Sequence, residues 1–576
     1  MKPAFTIILF SWCCFYAYVA AGQGEYPRPI IASDGSIIKI YHPQPDSFGA
    51  NKVKFRSAFS IMRKGGTASD SGSFLALATV ETDRSNRRVS FLDVGVISLT
   101  FSVGVDANKM DMLKETLERE IPMSGMDISL DELIGALSMH PERYKLYVYG
   151  ELNYVPPRII VAARPSILVL IDGIPRLKWY RNWEVKVVVN TPYTIAESND
   201  GWYYLYGGRH WYVAPTATGP YFPNGYIPAD MRKVQAAVDN ANGSDPDTTL
   251  EGPTWPPDII ISTGSAELIQ TVGPPLFTAI PGTSLSYASN TNNDIFLDSS
   301  QQLYYVLISG RWFSSPALTG AWKFVASDSL PADFSRIPKG SAKENVLTSV
   351  AGTAAALEAL VDARIPQTAR VDRNMRSDTV MYEGDPQFSE IRSTNLQYAV
   401  NISAIVLRQG GIYYYVDRGI WFWATSPFGP WKVCTTRPEE VNNIPPDYPV
   451  YHCKFVYIYG VDPDYVYAGF TPGYINSFID GPTLVYGTGF YYHPWQNANY
   501  YPRPSTWGFN MWYSPWFGWC LGHAYGLEWL NTGVAWGKGF WTGGWWGPAV
   551  YRPPYVRHFS PGVAYPVRIK YANADK

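Results

Sequence analysis

The stretch YYVLISGRWF, residues 304–313, decides the fold of a large part of this chain. Its aromatic and β-branched residues favour strands, and the Ser309-Gly310 pair between them supplies a turn in which glycine can take a positive φ. The stretch therefore predicts a β-hairpin that carries a row of aromatic side chains.

The same pattern occurs three times, in residues 157–221, 257–322 and 366–431. Each copy has a Gly-x-Pro, an Asn seventeen residues after that Gly, and a Tyr-Tyr pair followed seven residues later by Trp. A Gly lies eight residues after the Trp, with an aromatic residue two positions beyond it. Such constant spacing indicates duplicated modules. In chain order the equivalent residues are Gly173, Gly273 and Gly384; Asn190, Asn290 and Asn401; Tyr204, Tyr305 and Tyr414; Trp211, Trp312 and Trp421; Tyr221, Trp322 and Trp431.

Length and composition fit this interpretation. A chain of 576 residues exceeds the usual size of one core, and 46% hydrophobic with 17% charged residues excludes disorder as its main character. With 47 Lys and Arg against 49 Asp and Glu, the net charge of -2 provides no basic field for a nucleic acid. Aromatic residues make up 15%, beside 49 Gly and 46 Pro, a mixture typical of turn-rich β structure.

We predict a mainly β, multi-domain fold. It comprises an α+β N-terminal domain, three repeated small antiparallel β modules with short helical linkers, and an aromatic, Gly/Pro-rich C-terminal β region. The predicted boundaries are 1–21 signal peptide, 22–150 α+β domain, 157–227 module 1, 228–256 linker, 257–326 module 2, 327–365 helical linker, 366–434 module 3, 435–500 β region and 501–576 Trp/Gly/Pro-rich tail.

The first residues predict an export signal. Lys2 precedes an apolar run, and small residues follow it, so that cleavage is expected after Ala21. The predicted location is the periplasm, the outer membrane or the extracellular space. Export would permit a disulfide between Cys434 and Cys453, with two buried free thiols as the alternative.

The N-terminal domain shows clear periodicity. Apolar residues alternate between Val53 and Ile61, and two further strands flank a polar turn at residues 83–87. Ser129 and Glu132 form a capping box at the start of a helix. The charged residues of the turn, among them Arg84, are interpreted as a solvated hairpin tip.

The tail has few charges and many Trp. Residues 484–549 contain only Arg503, Glu528 and Lys538 as charged residues. Gly and Pro interrupt every long apolar run there, which argues against a transmembrane helix after the signal peptide. Three interpretations remain: strands packed on the modules, an aromatic surface for glycans or the envelope, and a self-associating segment.

The pattern Tyr-Tyr, Gly-Arg-Trp and then Gly-Pro-Trp, with the YPRPSTWG stretch at 501–508, resembles exported bacterial proteins labelled carbohydrate-binding family V/XII. The resemblance implies similarity to the small aromatic modules of chitin- and cellulose-binding proteins. It covers most of the mature chain. Module 1 departs from the pattern, with His210 before its Trp and Tyr221 in place of the last Trp.

The sequence predicts a non-catalytic carbohydrate-binding or scaffold protein of the cell envelope. Its predicted partners are polysaccharide or peptidoglycan and other envelope proteins, and no metal or cofactor is expected. Core packing is the alternative role for the module Trp residues. The alternative functions are a structural surface-assembly protein and a glycoside hydrolase, although no acid recurs before the shared Gly. The predicted ligand-binding residues are Tyr305, Trp312, Trp322, Tyr414, Trp421 and Trp431, with at least one Trp ring per module expected to be partly exposed.

Overall fold

The computed structural model describes residues 26–139, 152–242 and 256–493 with brief internal gaps, and short strands between 495 and 523. The signal peptide, the linker part at 243–255 and most of the tail lie outside the described residues. Contacts divide the chain into two units. The first contains residues 1–47, 52–80 and 88–133, and the second contains the remainder.

The N-terminal sheet has seven strands in the order β1-β2-β4-β5-β6-β7, with β3 paired to β4. Leu117 and Ile121 of the first helix are fully buried, as their helical spacing predicts. The Ser129 amide donates to Glu132 at 3.3 Å, which confirms the capping box. The elements are β1 (Arg28–Ile31), β2 (Ile37–Ile40), β3 (Gln44–Gly49), β4 (Lys52–Met62), β5 (Ser69–Asp83), β6 (Arg88–Phe101), α1 (Ala107–Met123), β7 (Asp127–Ser129) and α2 (Leu130–Ser138).

The turn between β5 and β6 belongs to the second unit. Arg84 is buried, and its Nη2 lies 2.5 Å from the Oδ2 atom of Asp362, which is also buried. Its Nη1 donates to the carbonyls of Asp362 and Ile365 at 2.9 and 2.6 Å. The interpretation of this turn as a solvated tip is therefore wrong for Arg84, because a buried guanidinium needs this set of partners.

Each repeat forms an antiparallel sheet in which strands follow one another in chain order. The sheet of module 1 runs from β10 to β15, that of module 2 from β18 to β23, and that of module 3 from β26 to β31 with β25 added beside β31. The strands are β8 (Arg158–Ala162), β9 (Ser166–Leu170), β10 (Leu177–Tyr180), β11 (Val185–Val188), β12 (Ile195–Glu197), β13 (Tyr203–Gly207), β14 (His210–Ala214), β15 (Phe222–Pro223), β16 (Asp258–Ser262), β17 (Ala266–Gln270), β18 (Phe277–Ala279), β19 (Leu285–Ala288), β20 (Asp294–Asp298), β21 (Leu303–Ile308), β22 (Arg311–Ser315), β23 (Lys323–Val325), β24 (Gln367–Asp372), β25 (Arg376–Ser377), β26 (Phe388–Glu390), β27 (Gln397–Ala399), β28 (Ile405–Gln409), β29 (Ile412–Asp417), β30 (Ile420–Ala424) and β31 (Trp431–Val433).

The hairpin predicted from residues 304–313 is confirmed. Ser309 and Gly310 have φ values of 49° and 75°, the two positive values that a tight type I′ turn requires. The equivalent turn of module 3, Arg418-Gly419, has φ values of 47° and 79°. A side chain at Gly310 would also meet the Leu484 carbonyl oxygen at 2.4 Å, so glycine is needed there for space as well as for conformation.

Modules 1 and 2 exchange strands. Strand β8 pairs in parallel with β17, and β9 pairs in parallel with β16. The β9–β16 pair packs on the module 1 sheet through Ile167 and Ile259, and Ile159 and Ile269 of the β8–β17 pair pack on module 2. We call these pairs the ribbons, and the sheet surfaces that they cover the ribbon faces. Each of the two modules thus uses a strand from the other to close its core.

Module 3 closes its ribbon face differently. Strand β24 pairs with β33, and β33 pairs with β32, so that three antiparallel strands cover this sheet. The predicted β region at 435–500 therefore supplies part of the module 3 core. Its described strands, and those of the tail, are β32 (Val456–Val461), β33 (Tyr465–Phe470), β34 (Ser477–Asp480), β35 (Thr483–Tyr486), β36 (Trp495–Gln496), β37 (Tyr500–Tyr501), β38 (Phe509–Ser514) and β39 (Gly518–His523).

Helical segments cover the opposite surface of each module sheet, which we call the helix face. Met231 and Val234 of α3 (Met231–Asn242) pack on module 1. The 3-10 helices Ala332–Arg336 and Glu344–Ser349 pack on module 2, and α4 (Ala354–Asp362) contributes Leu360 to the module 3 core. The predicted linkers therefore contribute to the module cores as well as connecting the modules. In the part of the chain that the structure describes, no helix is long and apolar enough to cross a membrane.

Candidate functional site

The repeated Trp residues lie inside the modules. Trp312 and Trp421 are each 1% exposed, and Trp211 is also buried. All three are on the helix faces of their sheets. The indole Nε1 of Trp312 donates to the Ser349 carbonyl at 2.7 Å, and that of Trp421 donates to the Val456 carbonyl at 3.0 Å. These two Trp residues therefore join the sheet of module 2 to the segment that covers its helix face, and the sheet of module 3 to the start of β32.

The closing aromatics lie on the opposite surface. Trp322 and Trp431 pack on the ribbon faces of modules 2 and 3, and both are buried. Their indole Nε1 atoms are buried without a hydrogen-bond partner. Adjacent strand residues point to opposite faces, which is why Tyr304 packs with Trp322 whereas Tyr305 packs with Trp312.

The six predicted ligand-binding residues consequently do not form one surface in either module. Tyr305 and Trp312 share a face with each other, as Tyr414 and Trp421 do, but Trp322 and Trp431 face the other way. Tyr414 alone of the six is partly exposed. The expectation of a partly exposed ring among these Trp residues is wrong, because covering segments bury both faces of each sheet.

The repeated Asn has a structural function that explains its spacing. Asn190 Nδ2 donates to the Asp172 and Ile174 carbonyls at 2.6 and 2.8 Å, and its Oδ1 accepts from the Arg176 amide at 2.7 Å. It thereby holds the loop around Gly173, which has a φ of 71°. Hydrogen bonds to the corresponding loops are made by Asn290, through Val272, Pro274 and Leu276, and by Asn401, through Asp385 and Gln387.

Exposed aromatic side chains are concentrated in module 1. Trp179 is 54% exposed and Trp202 is 46% exposed. Phe222 and Tyr226 are exposed as well, whereas Phe428 is the exposed large aromatic of module 3 among the described residues. Module 1 therefore has the most accessible aromatic surface of the three modules.

Trp179 starts a row that crosses four strands of module 1. It lies opposite Lys186, which lies opposite Glu197, and Glu197 lies opposite Tyr203. Residues opposite one another in a sheet share a face, so these four side chains share the ribbon face. Lys186 Nζ lies 3.1 Å from Glu197 Oε2. Partial burial, and secondarily the Glu197 carboxylate, raise the pKa of Tyr203, so its hydroxyl remains protonated at neutral pH.

The ribbon leaves the β10 end of this row uncovered, whereas Tyr203 at the other end is partly buried and packs on the module 1 core together with Ile259 and Ile261. The ribbon makes two further backbone contacts with module 1. Ile259 forms a β-bridge with Tyr221, beyond β14, and the Asp172 amide donates to the Asn190 carbonyl at the end of β11. The β10 end of the row lies away from both contacts. There Trp179 and the Lys186 side chain are each 54% exposed.

The equivalent row differs in the other modules. Module 2 has Ala279, Ser286, Leu297 and Tyr304 at these four positions, and module 3 has Glu390, Gln397, Arg408 and Tyr413. Only the Tyr is common to all three. Sequence reasoning missed Trp179 because it searched for residues shared by the repeats, and the exposed row is where the repeats diverge. The signal in the sequence was that module 1 has Trp179 where modules 2 and 3 have Ala279 and Glu390.

Two ionisable residues outside the row, Asp172 and His452, are held or buried by the surrounding protein. The carboxylate of Asp172 accepts from the Tyr491 hydroxyl, and His493 Nδ1 and Arg176 Nη2 lie 3.5 and 3.9 Å from its oxygens. Burial lowers the pKa of His452 to about 4. Among the described residues, no group of three or more His, Cys, Asp or Glu side chains could hold a metal ion.

Two further features bear on the sequence predictions. Cys434 and Cys453 are buried free thiols, the alternative to the disulfide, and burial raises the pKa of each to about 12. A shallow cavity of about 430 Å³ lies beside module 2, between Leu330, Val350 and Pro482. Asp328 is the one ionisable residue of its lining, which contains no aromatic ring.

Comparison with known proteins gives no relative: no protein-family model, curated protein or solved structure matches this chain.

Proposed function

We propose that this protein is a non-catalytic scaffold of the cell envelope, built from three β modules that fold around their repeated aromatic residues. The observation that carries the proposal is the location of Trp211, Trp312 and Trp421. Each is buried, and each directs its indole N–H to a segment outside its own sheet: to Gln235 of α3, to the Ser349 carbonyl and to the Val456 carbonyl at the start of β32. The repeated motif thus serves to build modules, and the surfaces between the motifs are available for partners.

The exchange of strands supports a scaffold. Because β8 pairs with β17 and β9 pairs with β16, modules 1 and 2 share their cores. Module 2 also contacts the C-terminal region through Arg311, whose guanidinium donates to the Tyr486 and Gly487 carbonyls at 3.0 and 2.9 Å. Such connections hold surfaces in fixed positions, which is what a scaffold requires.

Glycoside hydrolysis is less well supported. That reaction needs two carboxyl groups flanking the scissile bond. Asp172 of module 1 is held by Tyr491, His493 and Arg176, and module 2 has Val272 at the equivalent position. The six predicted aromatics do not supply a sugar-binding surface either, since their Trp rings are buried.

The test is to sediment the mature chain, beginning at Gly22, with isolated cell-envelope material while measuring the release of reducing sugar. We expect the protein to sediment with the envelope and to release no sugar. The chain spun without envelope is the control for aggregation. Enzymatic sugar release, or failure to sediment with envelope, would contradict the proposal.

A further inference from the structure

The row Trp179, Lys186, Glu197 and Tyr203 of module 1 combines features that no other described surface of the modules has together. An exposed indole lies at the edge strand β10, an ion pair follows on the next two strands, and a phenol ends the row. We propose that this row binds a polysaccharide chain. The proposal goes beyond the scaffold function, which does not require any glycan ligand.

The chemistry of the row matches that of a sugar polymer. A hexose ring presents an apolar C–H face that can lie on an indole, and its hydroxyls both donate and accept hydrogen bonds. Lys186 supplies donors, the Glu197 carboxylate supplies acceptors, and the protonated Tyr203 hydroxyl can do either. The Lys186–Glu197 contact already holds these two groups in place, so less conformational freedom is lost when a ligand binds.

The shape of the row also favours a chain over a single sugar. Neighbouring strands lie about 4.8 Å apart, so the three steps from β10 to β13 place Trp179 and Tyr203 about 14 Å apart. Their positions follow directly from the strand register. A site of this length, open at the β10 edge, can accept several consecutive sugar units while the polymer continues beyond the protein.

Module 2 provides an internal comparison within the same chain. Its row has Ala279 in place of Trp179, and Ser286 and Leu297 in place of the ion pair. It therefore lacks both the stacking ring and the charged hydrogen-bonding groups, although the sheet is the same. We assign the polysaccharide site to module 1 alone.

The test measures depletion of the mature full-length chain from solution by insoluble chitin, cellulose and purified peptidoglycan. Trp179→Ala gives the row the residue that module 2 has, and Trp202→Ala is the matched control, a similarly exposed Trp outside the row. We expect at least one polysaccharide to retain the native chain, Trp179→Ala to weaken retention about tenfold or more, and Trp202→Ala to change it by less than about twofold.

Two further variants test the specific chemistry. Trp179→Phe keeps an aromatic face and should restore part of the retention, and Tyr203→Phe should weaken it severalfold by removing the hydroxyl. Urea unfolding of each variant shows whether it is folded. Retention by none of the three polymers, equal retention of native chain and Trp179→Ala, or equal losses in Trp179→Ala and Trp202→Ala would overturn the proposal. Binding to the envelope without binding to any polysaccharide would overturn it while leaving the scaffold function intact.

Discussion

Modules 1 and 2 have the same architecture and different surfaces. Both hold a Gly-x-Pro loop with an Asn, both place a Trp on the helix face, and each lends the other a strand. They differ at the row, which begins with Trp179 in module 1 and with Ala279 in module 2. They also differ at one buried ribbon position, which is Ile167 in module 1 and Glu267 in module 2. The comparison teaches that what the repeats share builds the fold, whereas what they do not share is where function should be sought.

The residue at this ribbon position should make module 2 less stable than an apolar residue would. Ile167 is buried in the module 1 core, whereas Glu267 is buried with its Oε1 atom lacking a hydrogen-bond partner. Ile269, two residues further along β17, packs on the module 2 sheet, so alternation directs Glu267 to the same core. Burial raises the pKa of Glu267 to about 8.

The largest expected effect comes from the shared Trp. Trp312→Ala should lower the free energy of unfolding by about 3 to 5 kcal/mol, because it leaves a cavity and removes the hydrogen bond to the Ser349 carbonyl. Urea unfolding measures it, with Trp202→Ala as an exposed control. A loss below about 1 kcal/mol would show that the shared Trp is not a core residue.

The next largest effect on stability is expected when Glu267, the buried ribbon residue of module 2, is replaced by the Ile that module 1 has there. Glu267→Ile should stabilise the chain by about 4 kcal/mol at pH 8, since it replaces a buried carboxyl, whose Oε1 has no hydrogen-bond partner, by the residue of module 1. In the native chain the folded state retains the Glu267 proton up to about pH 8, whereas the ordinary pKa is 4.5.

The unfolded chain therefore loses this proton first, and the native free energy of unfolding should fall as the pH rises from about 4.5 to 8. The variant should lack this contribution, so its advantage should grow from pH 5 to pH 8 in urea titrations. An advantage that stays constant across this range would contradict the assigned burial of Glu267.

The repeated Asn residues should contribute unequally to the free energy of unfolding. Asn190 is fully buried and Asn290 is partly exposed, although their hydrogen bonds correspond. Asn190→Ala should cost about 2 kcal/mol, because it removes a buried amide that holds three backbone groups of the loop, and Asn290→Ala should cost less than about 1 kcal/mol, because water can replace its amide. Equal losses in the two variants would show that burial does not set the contribution.

The smallest expected effect on stability is that of Trp179→Ala. Because its ring is more than half exposed, the substitution should change the free energy of unfolding by no more than about 0.5 kcal/mol. Urea midpoints of the native chain and the variant provide the measurement. A large loss would mean that Trp179 is a structural residue and that any loss of polysaccharide retention reflects unfolding.

Much of the local structure follows from the sequence. Strand propensity and a turn with positive φ predict the hairpin at residues 304–313, and the alternation of a strand accounts for the opposite faces of Tyr304 and Tyr305. The spacing from Gly173 to Asn190 holds in every repeat because the Asn side chain must reach the loop that its own hairpin brings near. These features depend on residues close together in the chain.

Tertiary structure decided three other features: the burial of the shared Trp, the ion pair of Arg84 and the exposure of Trp179. Trp312 is buried because a segment near Ser349 covers it, and Arg84 is buried against Asp362, far away in the chain. Trp179 is exposed because the β9–β16 ribbon contacts other parts of the sheet. Local pattern sets which face a strand residue points to, whereas only the packing of distant segments decides whether that face meets protein or water.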